Sequence, residues 1–227
     1  MSIMRKDILG PALVVTLFLL SACASLAAED LVYEQVSGDQ RIEYLESRTA
    51  EGDGYAVTLQ GAGEKSESRL GSDLSTLSWT IERPSDSTRV SFVREGRTIK
   101  AEGSFKGKPF RKSYGIDDDP WIEFHELGMD NFAGQSRNEM SFWTIDRRNM
   151  SIVKFKAQKQ GVDLVEIAGT RQKAIKVRLS LTGILSVLGW HAAFWLREDD
   201  GRYLRLDAPG LTPADHASVV TLIRESR

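Results

Sequence analysis

From Leu31 onward the dominant repeat of this chain is two residues, with turn-forming residues breaking it at short intervals. A segment that alternates apolar and polar side chains buries one face and wets the other, as neighbouring antiparallel strands require. Residues 174–182 are the clearest instance. Ile175, Val177, Leu179 and Leu181 point one way, and Lys176, Arg178, Ser180 and Thr182 the other. Val153, Phe155 and Ala157 alternate in the same manner with Lys154, Lys156 and Gln158. Further strands are predicted near 31–36, 40–48, 54–60, 74–82, 88–94, 97–105, 109–115, 139–145 and 163–168. The expected fold is therefore mainly β: a single antiparallel β-meander domain, a curved sheet or open barrel, with one or two short helices.

Two stretches break the alternation. Asp117-Asp118-Asp119-Pro120 reads as a helix start, with Asp119 as N-cap and Pro120 at the first helical position. Trp121, Phe124 and Leu127 would then face the sheet. Residues 213–225 read as a short C-terminal helix capped by Thr212 or Asp215, with Val219, Leu222 and Ile223 as its apolar stripe. Neither lies between two parallel strands, which argues against a βαβ fold. Residues 192–207 predict a hairpin with the loop Asp199-Asp200-Gly201. That register sets Phe194 opposite Leu206, Trp195 beside Arg205 and Leu196 opposite Leu204, with Gly201 in the left-handed conformation.

The N-terminus reads as charge, then apolar residues, then small ones. Arg5 and Lys6 precede an apolar run from Ile8 to Leu20, which is shorter than the roughly 20 residues a spanning helix needs. This is the pattern of an export signal. Leu20-Ser21-Ala22-Cys23 resembles the lipobox of bacterial lipoproteins at all four positions. The resemblance implies removal of residues 1–22, lipidation of Cys23 and a tether over 23–30 ahead of a domain spanning 31–227. Cys23 is the only cysteine of the chain, so no internal disulfide can form. Several acyl chains, each CH₂ contributing about 0.8 kcal/mol, would make a lasting membrane anchor. Ala24, where inner-membrane lipoproteins commonly carry Asp, implies sorting to the outer membrane, facing the periplasm. Ordinary cleavage after Ala27, with Ser25 at the −3 position, is the alternative and gives a soluble periplasmic or secreted protein.

Beyond the anchor, the pattern resembles an uncharacterised group of all-β bacterial envelope proteins. The resemblance rests on Pro120-Trp121 near the middle and on Asp200-Gly201-Arg202-Tyr203-Leu204-Arg205 near the end. It implies a fold and no catalytic residues. At the level of architecture alone, a lipid-anchored antiparallel sheet is similar to the periplasmic lipoprotein carriers, which hold acyl chains in an open barrel.

The motifs of common chemistries are incomplete. Gly61-Ala62-Gly63-Glu64-Lys65-Ser66 has Glu64 where a phosphate-binding loop needs glycine, and reads as a turn between strands. His125-Glu126 opens like a zinc-protease helix, but Met129 stands where the second histidine belongs. The chain has only three histidines, His125, His191 and His216, so neither a metal nor a cofactor is expected. The acids at 117–119 lack the alternation and glycine of a calcium loop. No catalytic residue is assigned; His191 or His125 would serve a hydrolase of envelope material, which is one alternative function. Thirty basic against thirty-two acidic side chains give no support to nucleic-acid binding.

One asymmetry stands out. Lys100, Lys106, Lys108, Arg111 and Lys112 fall on one predicted hairpin, either as a contact for anionic lipid or as guards of a sheet edge. The leading functional expectation is binding of an apolar ligand, lipid or envelope partner by the curved sheet, to which five tryptophans would be suited. A structural or assembly role at the outer membrane is the remaining alternative.

Overall fold

The computed structural model describes residues 28–123, 125–210 and 216–226. Its strands are β1 (Glu29–Ser37), β2 (Gln40–Glu51), β3 (Gly54–Gly61), β4 (Glu64–Leu70), β5 (Thr76–Arg83), β6 (Thr88–Glu95) and β7 (Thr98–Phe105). They continue with β8 (Lys108–Gly115), β9 (Glu139–Asp146), β10 (Ser151–Ile167), β11 (Thr170–Leu181), β12 (His191–Arg197), β13 (Tyr203–Ala208) and β14 (Ser218–Ser226). One α-helix, α1 (His125–Gly134), is present among the described residues.

All fourteen strands form one sheet, ordered β8-β7-β6-β5-β4-β3-β2-β1-β14-β13-β12-β11-β10-β9. Every neighbouring pair is antiparallel. The first and last strands thus lie side by side in mid-sheet, while β8 and β9, consecutive in the chain, are its two edges. The sheet does not close between them.

The stretch linking β8 to α1 latches that seam. Trp121 forms a parallel bridge with Trp143 on β9, through Trp143 N to Pro120 O and Ile122 N to Trp143 O, both 2.8 Å. On its other side the Trp121 carbonyl accepts from Thr76 N, at the start of β5, at 2.7 Å. Tyr114 on β8 donates its hydroxyl proton to the Met150 carbonyl beyond β9.

Register places the buried side chains on one continuous inner face. Leu31 opposes Glu46 and Tyr33 opposes Tyr44; Glu46 opposes Leu59 and Arg48 opposes Val57; Trp79 opposes Phe92. Rolling this face inward makes two apolar clusters. One joins β1 and β9–β14 to α1, with Tyr33, Phe142, Phe194, Tyr203 and the helix residues Met129 and Phe132. The other joins β3–β8, with Trp79, Ile81, Phe92, Ile99 and also Trp121. Rings of this size bury on the order of 150–250 Å² each, which at about 25 cal/mol per Å² makes these clusters the main stabilising term.

Between the clusters the inner face is charged. Arg48, 4 % exposed, and Glu46, 0 % exposed, are paired within β2, and Arg48 Nη1 reaches Asp130 of α1 at 3.0 Å. Burial pushes the Asp130 carboxyl up to about 8, against the charges of Arg48 and Arg202, and the neighbouring Glu46 adds to the rise, since a second negative charge there is costly.

The structure corrects three sequence expectations. No helix starts at Asp119 and Pro120; α1 begins at His125. The three acids are taken instead by cations and by an indole. Lys154 pairs with Asp117 and Asp119, Arg97 with Asp118, and Trp143 Nε1 donates to Asp117 at 2.7 Å. Pro120 and Trp121 are then held extended by the bridge to β9. Phe124 and the side chain of Leu127 lie outside the described residues. Second, residues 218–226 are strand β14, hydrogen-bonded between β1 and β13, where Leu222 faces Tyr33. The expected caps Thr212 and Asp215 lie outside the described residues.

Third, the 192–207 hairpin follows the expected register only at its base. Phe194 pairs with Leu206 and Trp195 with Arg205, but Leu196 then pairs with Tyr203 across a bulge. The bulge lets both Tyr203 and Leu204 enter the core, at 1 % and 0 % exposure. Gly201 does take the left-handed conformation, φ +74°, and a Cβ there would stand 2.6 Å from the Asp130 carbonyl oxygen. The hairpin tip and α1 pack that closely only because residue 201 is glycine.

Candidate functional site

The roll leaves a cavity of about 890 Å³ between the inner faces of β1–β5, β14 and β9–β11. Its apolar flank is built from inward positions of successive strands: Tyr33 and Tyr44 on β1 and β2, Leu59 on β3, Val153 and Phe155 on β10, Leu181 on β11 and Val220 on β14. Phe155 is braced by Phe142 and Trp190, with ring centroids 5.8 and 5.5 Å away.

The opposite flank is polar. The β3–β4 turn has Ala62 at φ +53° and Gly63 at φ +71°, the two left-handed residues of a tight hairpin turn, and this places Glu64 at the start of β4. Glu64 lies between two guanidiniums, 3.0 Å from Arg147 and 3.4 Å from Arg83. Arg83 also donates to the Arg147 carbonyl at 3.3 Å, and the Arg147 guanidinium stacks 5.4 Å over Trp79. Asp146, Arg148 and Asn149 continue this rim.

Glu123 forms the deep end of the polar flank and is 3 % exposed. Its Oε1 accepts two N–H bonds, from Trp121 Nε1 at 2.6 Å and from Ile145 N at 2.5 Å. Its own backbone N–H donates to Thr76 Oγ1 at 3.0 Å. Oε2 is cut off from solvent and makes no close hydrogen bond among the described residues, with the Thr144 hydroxyl nearby. Burial raises this carboxyl from 4.5 to about 7, opposed by the Trp121 bond, the Arg147 charge, the Ile145 bond and the Thr144 hydroxyl. A cavity of this volume, apolar on one side with a few fixed polar groups on the other, has the make-up of a small-molecule site.

The residues singled out in the sequence lie elsewhere. Lys100, Lys106, Lys108, Arg111 and Lys112 are all exposed on the β7–β8 edge hairpin. Lys100 pairs with Glu95 and Arg111 with Glu102, while Lys106 and Lys112 stand 5.0 and 4.9 Å over the rings of Phe105 and Tyr114. His191 is exposed at the start of β12, its Nδ1 3.1 Å from the Gly189 carbonyl. The His216 ring packs by Gly38, and the side chain of His125 lies outside the described residues, as does Cys23. Neither His191 nor His216 lines the cavity. Glu64, Arg83, Glu123 and Arg147 were not found by motif, because no short pattern joins them. Two of them stood near a sequence flag: Glu123, two residues after the Pro-Trp pair, and Glu64, in the stretch 61–66 read as a turn between strands.

No protein-family model and no curated protein matches the sequence. Among solved structures, the chain is similar in fold to a β-barrel-like protein of the domain of unknown function DUF1849 from Brucella abortus. That alignment has a TM-score of 0.58 at 9 % identity and covers 88 % of this chain and 98 % of that one. The hypothetical lipoprotein YmcC from Escherichia coli aligns with a TM-score of 0.38 at 10 % identity, over 88 % and 85 % of the two chains. A DUF1329 family protein from Desulfovibrio piger aligns with a TM-score of 0.33 at 9 % identity, over 87 % and 83 %.

Proposed function

We propose that this chain is an exported envelope lipoprotein, anchored through Cys23 in the outer membrane and facing the periplasm, whose rolled sheet binds an apolar ligand with a polar head. The observation that carries the binding role is the cavity: about 890 Å³, aromatic and aliphatic on one flank, with Glu64, Arg83, Glu123 and Arg147 on the other. Volume and lining both suit a lipid-sized amphiphile. The proposed anchor rests on Leu20-Ser21-Ala22-Cys23 and would keep the cavity beside its source of ligand.

The test is direct binding. The described strands and both apolar clusters lie within residues 28–226, so a chain starting at Ala24 retains the sheet. It should bind a fluorescent acyl probe saturably, at one site. Val153→Trp and Val220→Trp, which fill the cavity from two sides, should each weaken binding by about tenfold or more, some 1.4 kcal/mol, with the circular dichroism of the wild type. A probe that binds the filled variants as tightly as the wild type would remove the cavity from the account.

A further inference from the structure

Strand register sorts the links between strands onto two ends of the roll. Ser37 pairs with Gln40 and with Ser218, and following the pairs outward from β1 puts the turns 38–39, 62–63, 84–87, 106–107 and 147–150 and the loop 182–190 at one end. The cavity opens there, since its exposed lining residues, Ala62, Arg148 and Asn149, all lie in these turns. The loop 182–190 is rooted in the cavity wall on both sides. Leu181, just before it, lines the cavity, and Trp190 packs against the lining residue Phe155, ring centroids 5.5 Å apart. Thr182 ties the first root to β10, its N–H and its hydroxyl both donating to the Lys154 carbonyl at 3.1 Å.

From Leu179 to Trp190 the sequence has no charged residue. The loop holds a 3-10 helix, Gly183–Leu188, and Val187 on it is 83 % exposed, more than any other large apolar side chain among the described residues. The loop closes on itself: Ser186 Oγ donates to the Gly183 carbonyl at 2.7 Å, and Gly189 N to the Ser186 carbonyl at 3.1 Å. Polar groups bonded within a loop cost less to carry into a bilayer interface, and an exposed apolar side chain gains there. Charge separates the two ends of the roll. The links at the far end include Asp53, Asp73 and the acids of 117–119 and 198–200, against Arg97, Arg137 and Arg202. Those at the mouth, among the described residues, carry Asp39 and Asp86 against Lys106, Arg147 and Arg148. An anionic bilayer repels the acid excess of the far end and meets none at the mouth.

We propose that the end of the roll holding the cavity mouth docks on an anionic phospholipid bilayer, with the loop 182–190 entering its headgroup layer. Passage of a ligand between bilayer and cavity follows, and that passage rests on the binding reading above; the docking does not. The proposed lipid anchor joins β1 at the far end, about 30 Å of strand from the mouth, and residues 24–28 reach at most about 17 Å. An anchored molecule therefore brings its mouth to its own bilayer by lying inclined to it.

The chain from Ala24 onward has no cysteine, since Cys23 is the only one. Val187→Cys and Leu164→Cys thus each provide a single site for a fluorophore sensitive to its surroundings. Leu164, 69 % exposed on β10 toward the far end, is the apolar control. On vesicles of phosphatidylethanolamine and phosphatidylglycerol, the label at 187 should shift to shorter wavelength and be quenched by brominated phospholipid. The label at 164 should do neither, and vesicles of phosphatidylcholine alone should give a smaller shift at 187. Val187→Asp, a change at a side chain that packs on little, should weaken flotation with the anionic vesicles by about tenfold. The docking is overturned by no shift at 187, by equal shifts at 187 and 164, by an equal shift on phosphatidylcholine, or by undiminished flotation of Val187→Asp. Acyl-probe binding alongside any of these results leaves the cavity reading in place. The predicted shift in a protein that binds no acyl probe keeps the docking and removes that reading.

Discussion

Glu123 and Arg48 are both buried on the inner face, and they respond to change in opposite ways. Arg48 is paired on both sides, with Glu46 and Asp130. Arg48→Met removes the cation shared by two buried carboxyls, so unfolding in urea should show a loss of roughly 3–5 kcal/mol, with α1 the first segment to lose amide protection. Glu123 is a destabilising residue above neutrality. Its carboxyl binds a proton more tightly when folded, so its contribution to stability is full below 4.5 and declines as pH rises to about 7. Above that range a buried carboxylate remains, at a cost of about 3 kcal/mol. Glu123→Gln should therefore exceed the wild type in stability at pH 8 by an amount of that order and match it at pH 4, measured by urea titration at both. Equal gains at the two values would show that its ionisation is not coupled to folding.

At the scale of elements, β8 is an edge whose pairing among the described residues is to β7 alone. It carries Lys108, Pro109, Arg111 and Lys112, and a proline and three cations are common protection against strand addition. Replacing Lys108 and Lys112 by Thr and Pro109 by Val should leave the domain folded but raise its self-association, read by light scattering against concentration. An unchanged molecular mass would assign these side chains to another task, such as contact with anionic lipid.

The sequence disclosed strands best where the inner residues are apolar, as in β6, β9 and β11. It concealed β4, whose central inward positions are Ser66 and Ser68, buried at 1 % and 4 % between larger neighbours on β3 and β5, leaving Leu70 as its one apolar inward residue. It divided β10 in two, because Lys159–Gly161 is a bulge that shifts the alternation. It misread β14, because an apolar run of that length suits a helix stripe and a two-sided strand alike; pairing with β1 and β13 decides, and pairing is not a local property. The five tryptophans suggested a greasy concave surface, but none of them lines the cavity. Its polar flank was not legible either, since Glu64, Arg83, Glu123 and Arg147 meet only when the sheet rolls.

At the scale of the molecule, the meander is wound so that its two terminal strands pair in mid-sheet and the seam lies between β8 and β9. That seam is latched by Trp121, Thr76, Tyr114 and Met150, and Glu123 follows the latch by two residues, so the deep end of the site and the closure of the roll share one segment. The proposed anchor predicts that Cys23→Ser leaves the membrane fraction for the soluble periplasm, or stalls in processing, and that wild-type N-terminal peptides carry lipid mass. Normal processing of the variant together with an unmodified wild-type peptide would contradict it. The central claim is that the roll holds a ligand, and native mass spectrometry of the chain from Ala24 onward, purified from the periplasm without detergent, tests it most directly. The wild type should carry a bound species of lipid mass near one per chain, lost in Val153→Trp and Val220→Trp. Wild-type protein that emerges at the bare chain mass, and stays there after incubation with monoacylglycerol, would contradict it.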